Sequence, residues 1–292
     1  MTATPVPRRM RQRFPTLNHV WLFAALGMLA LRPLLTPIPP HDFWWHMAVG
    51  RVIVQTGAIP TVDIFSYTQA GEPFYNQGWL AQVVFYVLYQ AGNVHLILVV
   101  QMLVLVLTYG MLLWLCIRRS GNLRLSVALL LLTTMPISFD NWNVRPQTYA
   151  FPLFVGFLCV LTLWRMTERE PEAAPRTWQA ELLAYRLWLL PLLMVVWVNT
   201  HGSFVLGGVL ISIVFGVELV RRFLVRRRAA RAGTWEQVAA ELARKPPLWT
   251  LFVWGGITAA AMLVNPRGFG VIGYVLNLTG NSAVTTLVTE WA

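Results

Sequence analysis

The residues best suited to chemistry lie in the segment His41-Asp42-Phe43-Trp44-Trp45-His46, directly after the first long apolar run. A carboxylate at a membrane boundary loses hydration unless a partner or a metal ion compensates it. If a helix follows, Asp42 and His46 occupy positions i and i+4 and share one face. That face would present a carboxylate and an imidazole to the same substrate or cation. A second interpretation stays open, in which Trp44 and Trp45 form an aromatic belt that anchors a surface helix among lipid headgroups.

The composition predicts an integral membrane protein. A mean hydropathy of +0.56, with 57% hydrophobic and 12% charged residues, does not suit a soluble domain of 292 residues. The net charge of +11 does not indicate nucleic-acid binding, because the basic residues form short runs beside apolar segments, as the positive-inside rule describes. Cys116 and Cys159 lie within apolar runs and lack a second ligand at metal-site spacing.

The apolar runs predict an all-α fold in which residues 1–292 form a single polytopic transmembrane domain. About seven spans are expected, with residues 269–278 as a partial eighth. The seven are residues 17–35, 94–117, 125–139, 149–164, 182–198, 204–220 and 248–264. The run 79–90 is too short to cross alone, so we predict a re-entrant or interfacial helix there.

Residues 36–78 are predicted to form a long first outer loop. The first half, residues 42–57, mixes apolar residues with Arg51 and Gln55, which predicts an amphipathic helix in the membrane interface. The second half, residues 58–77, is rich in proline, glycine and acidic residues and predicts an ordered loop.

The basic residues set the predicted orientation. All of the 23 lysines and arginines except Arg32, Arg51, Arg145 and Arg267 fall on one side of the predicted spans. The positive-inside rule makes that side cytoplasmic. Residues 1–16 are therefore predicted to be a basic cytoplasmic tail.

With this orientation, the polar clusters of the chain fall at the outer ends of the spans. Besides the His41–His46 segment, they are Asp140-Asn141-Trp142-Asn143-Val144-Arg145-Pro146-Gln147, Asn199-Thr200-His201-Gly202-Ser203, Asn265-Pro266-Arg267-Gly268 and Glu290-Trp291. Each has a local explanation: Pro146 can start a helix, Gly202 can cap one in the left-handed region, and Arg267 can anchor to headgroups. Their concentration on one face nevertheless favours one shared site.

These segments resemble the GT-C superfamily of membrane glycosyltransferases, and among them bacterial proteins related to protein mannosyltransferases. The shared order is a cytoplasmic tail, one span, an acidic residue opening a long outer loop, and then a polytopic bundle. The sequence motifs that carry the resemblance are Asp42-Phe-Trp-Trp-His46, Trp79-Leu80-Ala81-Gln82, Arg145-Pro146-Gln147, Asn199-Thr200-His201-Gly202 and Asn265-Pro266-Arg267-Gly268. The resemblance implies sugar transfer from a polyprenyl-phosphate donor at the outer face of the bacterial inner membrane, commonly with a divalent cation such as Mg²⁺ or Mn²⁺.

The resemblance also implies roles for residues. Asp42 takes the place of the first-loop catalytic acid, as general base on an acceptor hydroxyl and as the expected metal ligand. His46 or His201 is expected to orient this acid or to bind a cation. The predicted substrate-binding residues, with arginine suited to the donor phosphate, are Asp140, Arg145, Gln147, His201 and Arg267.

The chain departs from that family in two respects. Many members carry two adjacent acids in the first loop, whereas Asp42 is flanked by His41 and Phe43. Members are usually longer, so we expect this chain to be incomplete at its carboxyl end.

Two other function classes stay open. A transporter or flippase of a lipid-linked precursor would also use outer arginines, but it predicts polar or charged residues near the midplane together with internal repeats or broken helices. The sequence shows no acidic residue at the midplane of a predicted span and no clear repeat. A non-catalytic membrane subunit would use the same spans as a scaffold. This alternative predicts that Asp42 is dispensable for the function of the protein.

Overall fold

The described chain folds into α-helices joined by short turns and one longer loop. A computed structural model describes residues 16–39, 42–168 and 177–280, except for the side chains of residues 137–141 and 278–280. Within these ranges no strand forms. The helices are α1 Leu17–Leu35, α2 Phe43–Thr56, α3 Trp79–Ser120, α4 Leu123–Asn141, α5 Pro146–Met166, α6 Trp178–Leu183, α7 Leu189–Thr200, α8 Val205–Ala232, α9 Trp235–Ala243, α10 Leu248–Ala261 and α11 Gly270–Gly280.

Four helices in the described ranges are long and apolar enough to cross a membrane. They are Leu17–Leu35, Trp79–Ser120, Pro146–Met166 and Gly202–Ala232, the last of which joins a 3₁₀ turn to α8. Shorter apolar helices cover Leu123–Pro136, Leu189–Thr200 and Leu248–Ala261. The predicted all-helical fold is confirmed. The count of seven to eight spans stays a prediction.

Helix α3 contains a sharp internal kink. Gly92 (φ −161°, ψ 24°) and Asn93 (φ 53°, ψ −157°) interrupt its helical backbone. Asn93 thus has a positive φ, which is uncommon for residues other than glycine. The kink lies between the predicted short helix at residues 79–90 and the predicted span at residues 94–117. The break between helices that the sequence predicts therefore coincides with the observed kink.

Helix α2 forms within the predicted first outer loop and packs against the first half of α3. Phe43, Val49 and Ile53 are buried on its packed face, and Phe43 contacts the ring of Phe85. The two helices approach closely at Gly50, where a Cβ atom would lie 2.0 Å from the backbone oxygen of Gln82. Only glycine allows this approach. The packing fixes Asp42, at the start of α2, relative to α3. The interfacial placement of α2 stays a prediction.

The largest buried cluster joins α5, α7, α8 and α10. Trp164 and Trp197 are its largest fully buried side chains. Trp197 meets Phe157 edge to face, with ring centroids 5.4 Å apart. Because burial of large aromatic side chains stabilises a fold strongly, this cluster holds the start of α5 and the α7–α8 junction in fixed relative positions.

Candidate functional site

A cavity of about 680 Å³ lies where the starts of α2, α3 and α5 approach the α7–α8 junction and α11. Its wall includes the sequence-predicted residues Asp42, His46, Arg145, Gln147 and His201. These residues come from three separate polar segments of the chain. The structure therefore brings together side chains that are far apart in sequence.

The Asp42 carboxylate forms a bidentate ion pair with Arg145. Nε of Arg145 lies 3.0 Å from both carboxylate oxygens, and Nη2 donates to Oδ2 at 2.9 Å. Both residues precede a helix: Asp42 stands before α2, and Arg145 before α5 in an extended conformation that Pro146 at the first helical position favours. The side chains of Asp42 and Arg145 are 34% and 29% exposed, so the pair can be reached from the cavity.

His46 supports the same carboxylate from α2. Its Nε2 lies 3.6 Å from Oδ2 of Asp42, as the predicted i, i+4 spacing on one helix face requires. On the other side of the ring, Nδ1 of His46 lies 3.1 Å from Nε2 of Gln82. Oε1 of Gln82 accepts a hydrogen bond from Asn76 at 2.7 Å. When the Gln82 amide donates to Nδ1, a ring proton is on Nε2, the nitrogen that lies nearer to Asp42.

The surroundings of Asp42 determine its charge. Burial raises the pKa of Asp42, but the contacts with His46 and Arg145 lower it by more, and the net result is a pKa well below the ordinary carboxyl value. Asp42 is therefore ionised throughout the neutral range. In this arrangement, the carboxylate is a weak proton acceptor as long as Arg145 holds it.

His201 occupies the junction between α7 and α8. Its Nδ1 accepts a hydrogen bond from the Ser203 backbone N–H at 3.1 Å and lies 2.9 Å from the Ser203 hydroxyl. That hydroxyl also accepts from Nε1 of Trp197 at 3.1 Å. Gly202 is not among the described glycines with positive φ, so the left-handed cap that the sequence allowed does not form there. His201 holds the junction and lines the cavity at the same time.

Arg267 lies behind the cavity wall rather than in it. Its Nη2 donates to the Phe74 backbone oxygen at 2.8 Å, and its guanidinium lies 5.2 Å from the centre of the Tyr75 ring. Tyr75 in turn stacks on Tyr274, with ring centroids 4.5 Å apart and an interplanar angle of 15°. Arg267 thus connects the loop between α2 and α3 to the α10–α11 turn. Its predicted phosphate contact stays a prediction, and this placement does not favour it.

Asn199 and Asn265, which open two of the predicted motifs, join helices to one another. Asn199 accepts from Nε1 of Trp79 at 2.8 Å and donates to the backbone oxygens of Val195 and Val264, each at 2.8 Å. Asn265 donates to Oδ1 of Asn199 at 3.4 Å. Neither asparagine lines the cavity. Their side chains fix the α7 and α10 ends that frame it.

Sequence reasoning missed Asn76, Gln82 and Tyr274, which all line the cavity. Gln82 carried a signal, because it is a polar residue inside the apolar run 79–90 and is 1% exposed in the structure. A buried amide needs hydrogen-bond partners, and those partners are His46 and Asn76. Among the residues that were predicted, His41 and the side chain of Asp140 lie outside the described part, as does Glu290-Trp291.

The residues around Asp42 do not form a good site for Mg²⁺ or Mn²⁺. Both carboxylate oxygens receive N–H groups from Arg145, whereas these cations prefer several oxygen ligands in octahedral geometry. Nor do the described residues include a group of three or more histidine, cysteine, aspartate or glutamate side chains that could hold a metal ion. The divalent cation stays a prediction.

Comparison with known proteins gives no match to a protein-family model, to a curated protein or to a solved structure. The resemblance to membrane glycosyltransferases therefore stays a prediction from the quoted residues.

Proposed function

We propose that this chain transfers a sugar from a polyprenyl-phosphate donor to an acceptor hydroxyl in the cavity between α2, α5 and α8. The observation that supports the proposal best is the convergence of a carboxylate, a guanidinium and an imidazole on this cavity, in Asp42, Arg145 and His46. These are the group types that take a proton, hold a phosphate and orient a base.

In the proposed reaction, Asp42 takes the proton of the acceptor hydroxyl as its oxygen attacks the anomeric carbon. The bond between that carbon and the phosphate oxygen breaks, with inversion, and the electron pair leaves on the polyprenyl phosphate. Arg145 holds the phosphate, because a guanidinium matches two phosphate oxygens and stays charged near lipid. His46, which the Gln82 amide holds through Nδ1, lies beside the carboxylate with Nε2 at 3.6 Å and helps to keep it in place.

The apolar part of the cavity wall suits the lipid chain of such a donor. Val205, Leu206 and Val275 line the cavity beside the polar residues. Leu206 is 48% exposed, and from it a stripe of exposed apolar side chains continues along α8 through Val209 and Ile213. A prenyl chain bound on that stripe would have its phosphate end at Arg145.

We place the site at the outer face of a bacterial inner membrane, with the amino terminus in the cytoplasm. The basic residues support this orientation, because most of them lie away from the segments that line the cavity. Cysteine labelling tests it: a cysteine at position 147 should react with an impermeant reagent added outside intact cells. Labelling of position 147 only after the cells are opened would reverse the orientation.

The transfer of radiolabelled sugar from a polyprenyl-phosphate donor, measured in membranes with matched expression, tests the function. Asp42→Asn keeps the size of the side chain but cannot take the proton, so we expect transfer to fall ~10²- to 10⁴-fold. The aromatic-belt alternative predicts that Asp42→Asn is silent while Trp44→Ala and Trp45→Ala disturb membrane insertion. Full transfer by Asp42→Asn would end the catalytic assignment.

A further inference from the structure

The Asp42–Arg145 pair holds the candidate base and the candidate phosphate ligand against each other. Nε and Nη2 of Arg145 contact the carboxylate at 2.9–3.0 Å. A guanidinium makes its strongest contacts to carboxylate and phosphate with the same pairs of N–H groups. An incoming phosphate must therefore compete with Asp42 for Arg145.

We propose that this pair is a latch that the donor phosphate opens. The phosphate takes over the N–H groups of Arg145, Asp42 is released, and its carboxylate becomes available to the acceptor hydroxyl. The base is thus exposed only after the donor has bound. The identity of the anion as a sugar donor rests on the proposed function, whereas the competition between Asp42 and a phosphate does not.

The position of each residue allows the latch to open. Pro146 fixes the backbone beside Arg145, but the guanidinium is at the end of a long side chain that can swing toward the cavity. Asp42 stands before the first residue of α2 and makes no capping hydrogen bond that its release would break. Both side chains face a cavity of about 680 Å³, which leaves room for a phosphate beside them.

His46 gives the released carboxylate a second partner. Its Nε2 is 3.6 Å from Oδ2, the same oxygen that receives Nη2 of Arg145. The ring is held on its other side by the buried amide of Gln82, whose oxygen accepts a hydrogen bond from the buried amide of Asn76. Asp42 therefore keeps a polar partner after Arg145 has moved to the phosphate, which limits the cost of breaking the pair.

Binding of farnesyl phosphate to the purified full chain, in detergent and without any sugar, tests the latch. Asp42→Asn removes the competitor for Arg145, so we expect it to bind farnesyl phosphate about tenfold more tightly than the wild type. Arg145→Ala should weaken binding by about tenfold or more. Asp42→Ser carries the same expectation as Asp42→Asn and replaces it if the asparagine variant fails to fold.

Three controls assign the effect. Glu72→Gln removes one negative charge from an exposed position in the same loop, outside the cavity wall, and should leave affinity within about twofold. Farnesol, which lacks the phosphate, should bind the wild type and Asp42→Asn equally. A gain in affinity for inorganic phosphate without any gain for farnesyl phosphate would overturn the assignment to a lipid phosphate.

Equal or weaker binding of farnesyl phosphate by Asp42→Asn, with Arg145 still required, would overturn the latch. This outcome can be distinguished from a failure of the proposed function. A chain that shows the gain in affinity but transfers no sugar would retain the latch and lose the enzyme assignment.

Discussion

The two ends of α5 carry the same kind of ion pair in different settings. At its start, Arg145 pairs with Asp42, whose side chain is 34% exposed and lines the cavity. In its last turn, Nε of Arg165 contacts Glu218 of α8 at 2.8 Å, and the Glu218 side chain is only 6% exposed. Glu218 also has Arg221 3.7 Å away, one helical turn along α8. One carboxylate faces open space, and the other is enclosed by its partners.

This difference separates a site from a structural contact. A buried carboxylate that is covered by arginines fixes two helices but cannot meet a substrate. A carboxylate that is paired yet accessible can exchange its partner for a ligand. Accessibility from the cavity, rather than the presence of an ion pair, therefore distinguishes the Asp42 end as the candidate site.

Two separate variants, each lacking one of the two arginines, should show the largest difference in sugar transfer. Arg145→Ala takes away the proposed phosphate contact, so sugar transfer should fall ~10²-fold or more. Arg165→Ala removes a guanidinium that lies outside the cavity. It should lower stability, because Glu218 loses a partner while it stays buried, but it should leave transfer per folded protein within about twofold. A comparable loss of transfer in both variants would erase the distinction between the two ends.

Moving α2 away from α3 should damage the Asp42 end alone. Gly50→Ala places a Cβ atom 2.0 Å from the Gln82 backbone oxygen. Since neither backbone can yield without a shift of the helix, we expect a loss of about 1–3 kcal/mol in the free energy of unfolding, together with reduced transfer.

Gly110→Ala in α3 is the matched control for Gly50→Ala. Apart from the backbone of its own helical turns and its chain neighbours, nothing lies within 4 Å of the added Cβ, so stability should be unchanged or slightly higher. Thermal unfolding in detergent measures both variants. Equal melting temperatures for the two would show that α2 does not depend on the close contact at Gly50.

The sequence located the elements and the helix face of this site but not its pairings. The i, i+4 spacing placed Asp42 and His46 on one face because helix periodicity is a local property. The contact of Asp42 with Arg145 joins residues 103 positions apart, and it depends on how α2 and α5 pack around α3. No local pattern encodes that packing.

Arg267 shows the limit of motif reasoning. The Asn265-Pro266-Arg267-Gly268 turn was expected near the other polar segments, and in the structure Arg267 donates to the Phe74 backbone oxygen in the loop beside the cavity. Its side chain direction was not predictable, because it is set by the stacked rings of Tyr75 and Tyr274, which come from distant parts of the chain. The sequence motif indicated a position near the other polar segments. Which arginine lines the cavity depends on tertiary packing.

The smallest expected effect is a pH dependence of stability at the Asp42 end. Because contacts with His46 and Arg145 hold the pKa of Asp42 below its unfolded value, they stabilise the folded chain at pH values above about 4. This contribution is lost as the pH falls toward the lowered pKa. The melting temperatures of the wild type and Asp42→Asn should therefore differ less at pH 3 than at pH 5. A difference that is the same at both pH values would argue against a strongly lowered pKa.

Photo-crosslinking of the full chain with a diazirine-bearing prenyl phosphate tests the central claim, that the cavity at the start of α5 is the site of a lipid-phosphate ligand. We predict that the label falls on cavity-wall segments around Gln147, Leu206 and Val275, and that excess unlabelled prenyl phosphate or Arg145→Ala abolishes it. Label concentrated around Arg165 and Glu218, or spread along the helices and unaffected by Arg145→Ala, would contradict the claim.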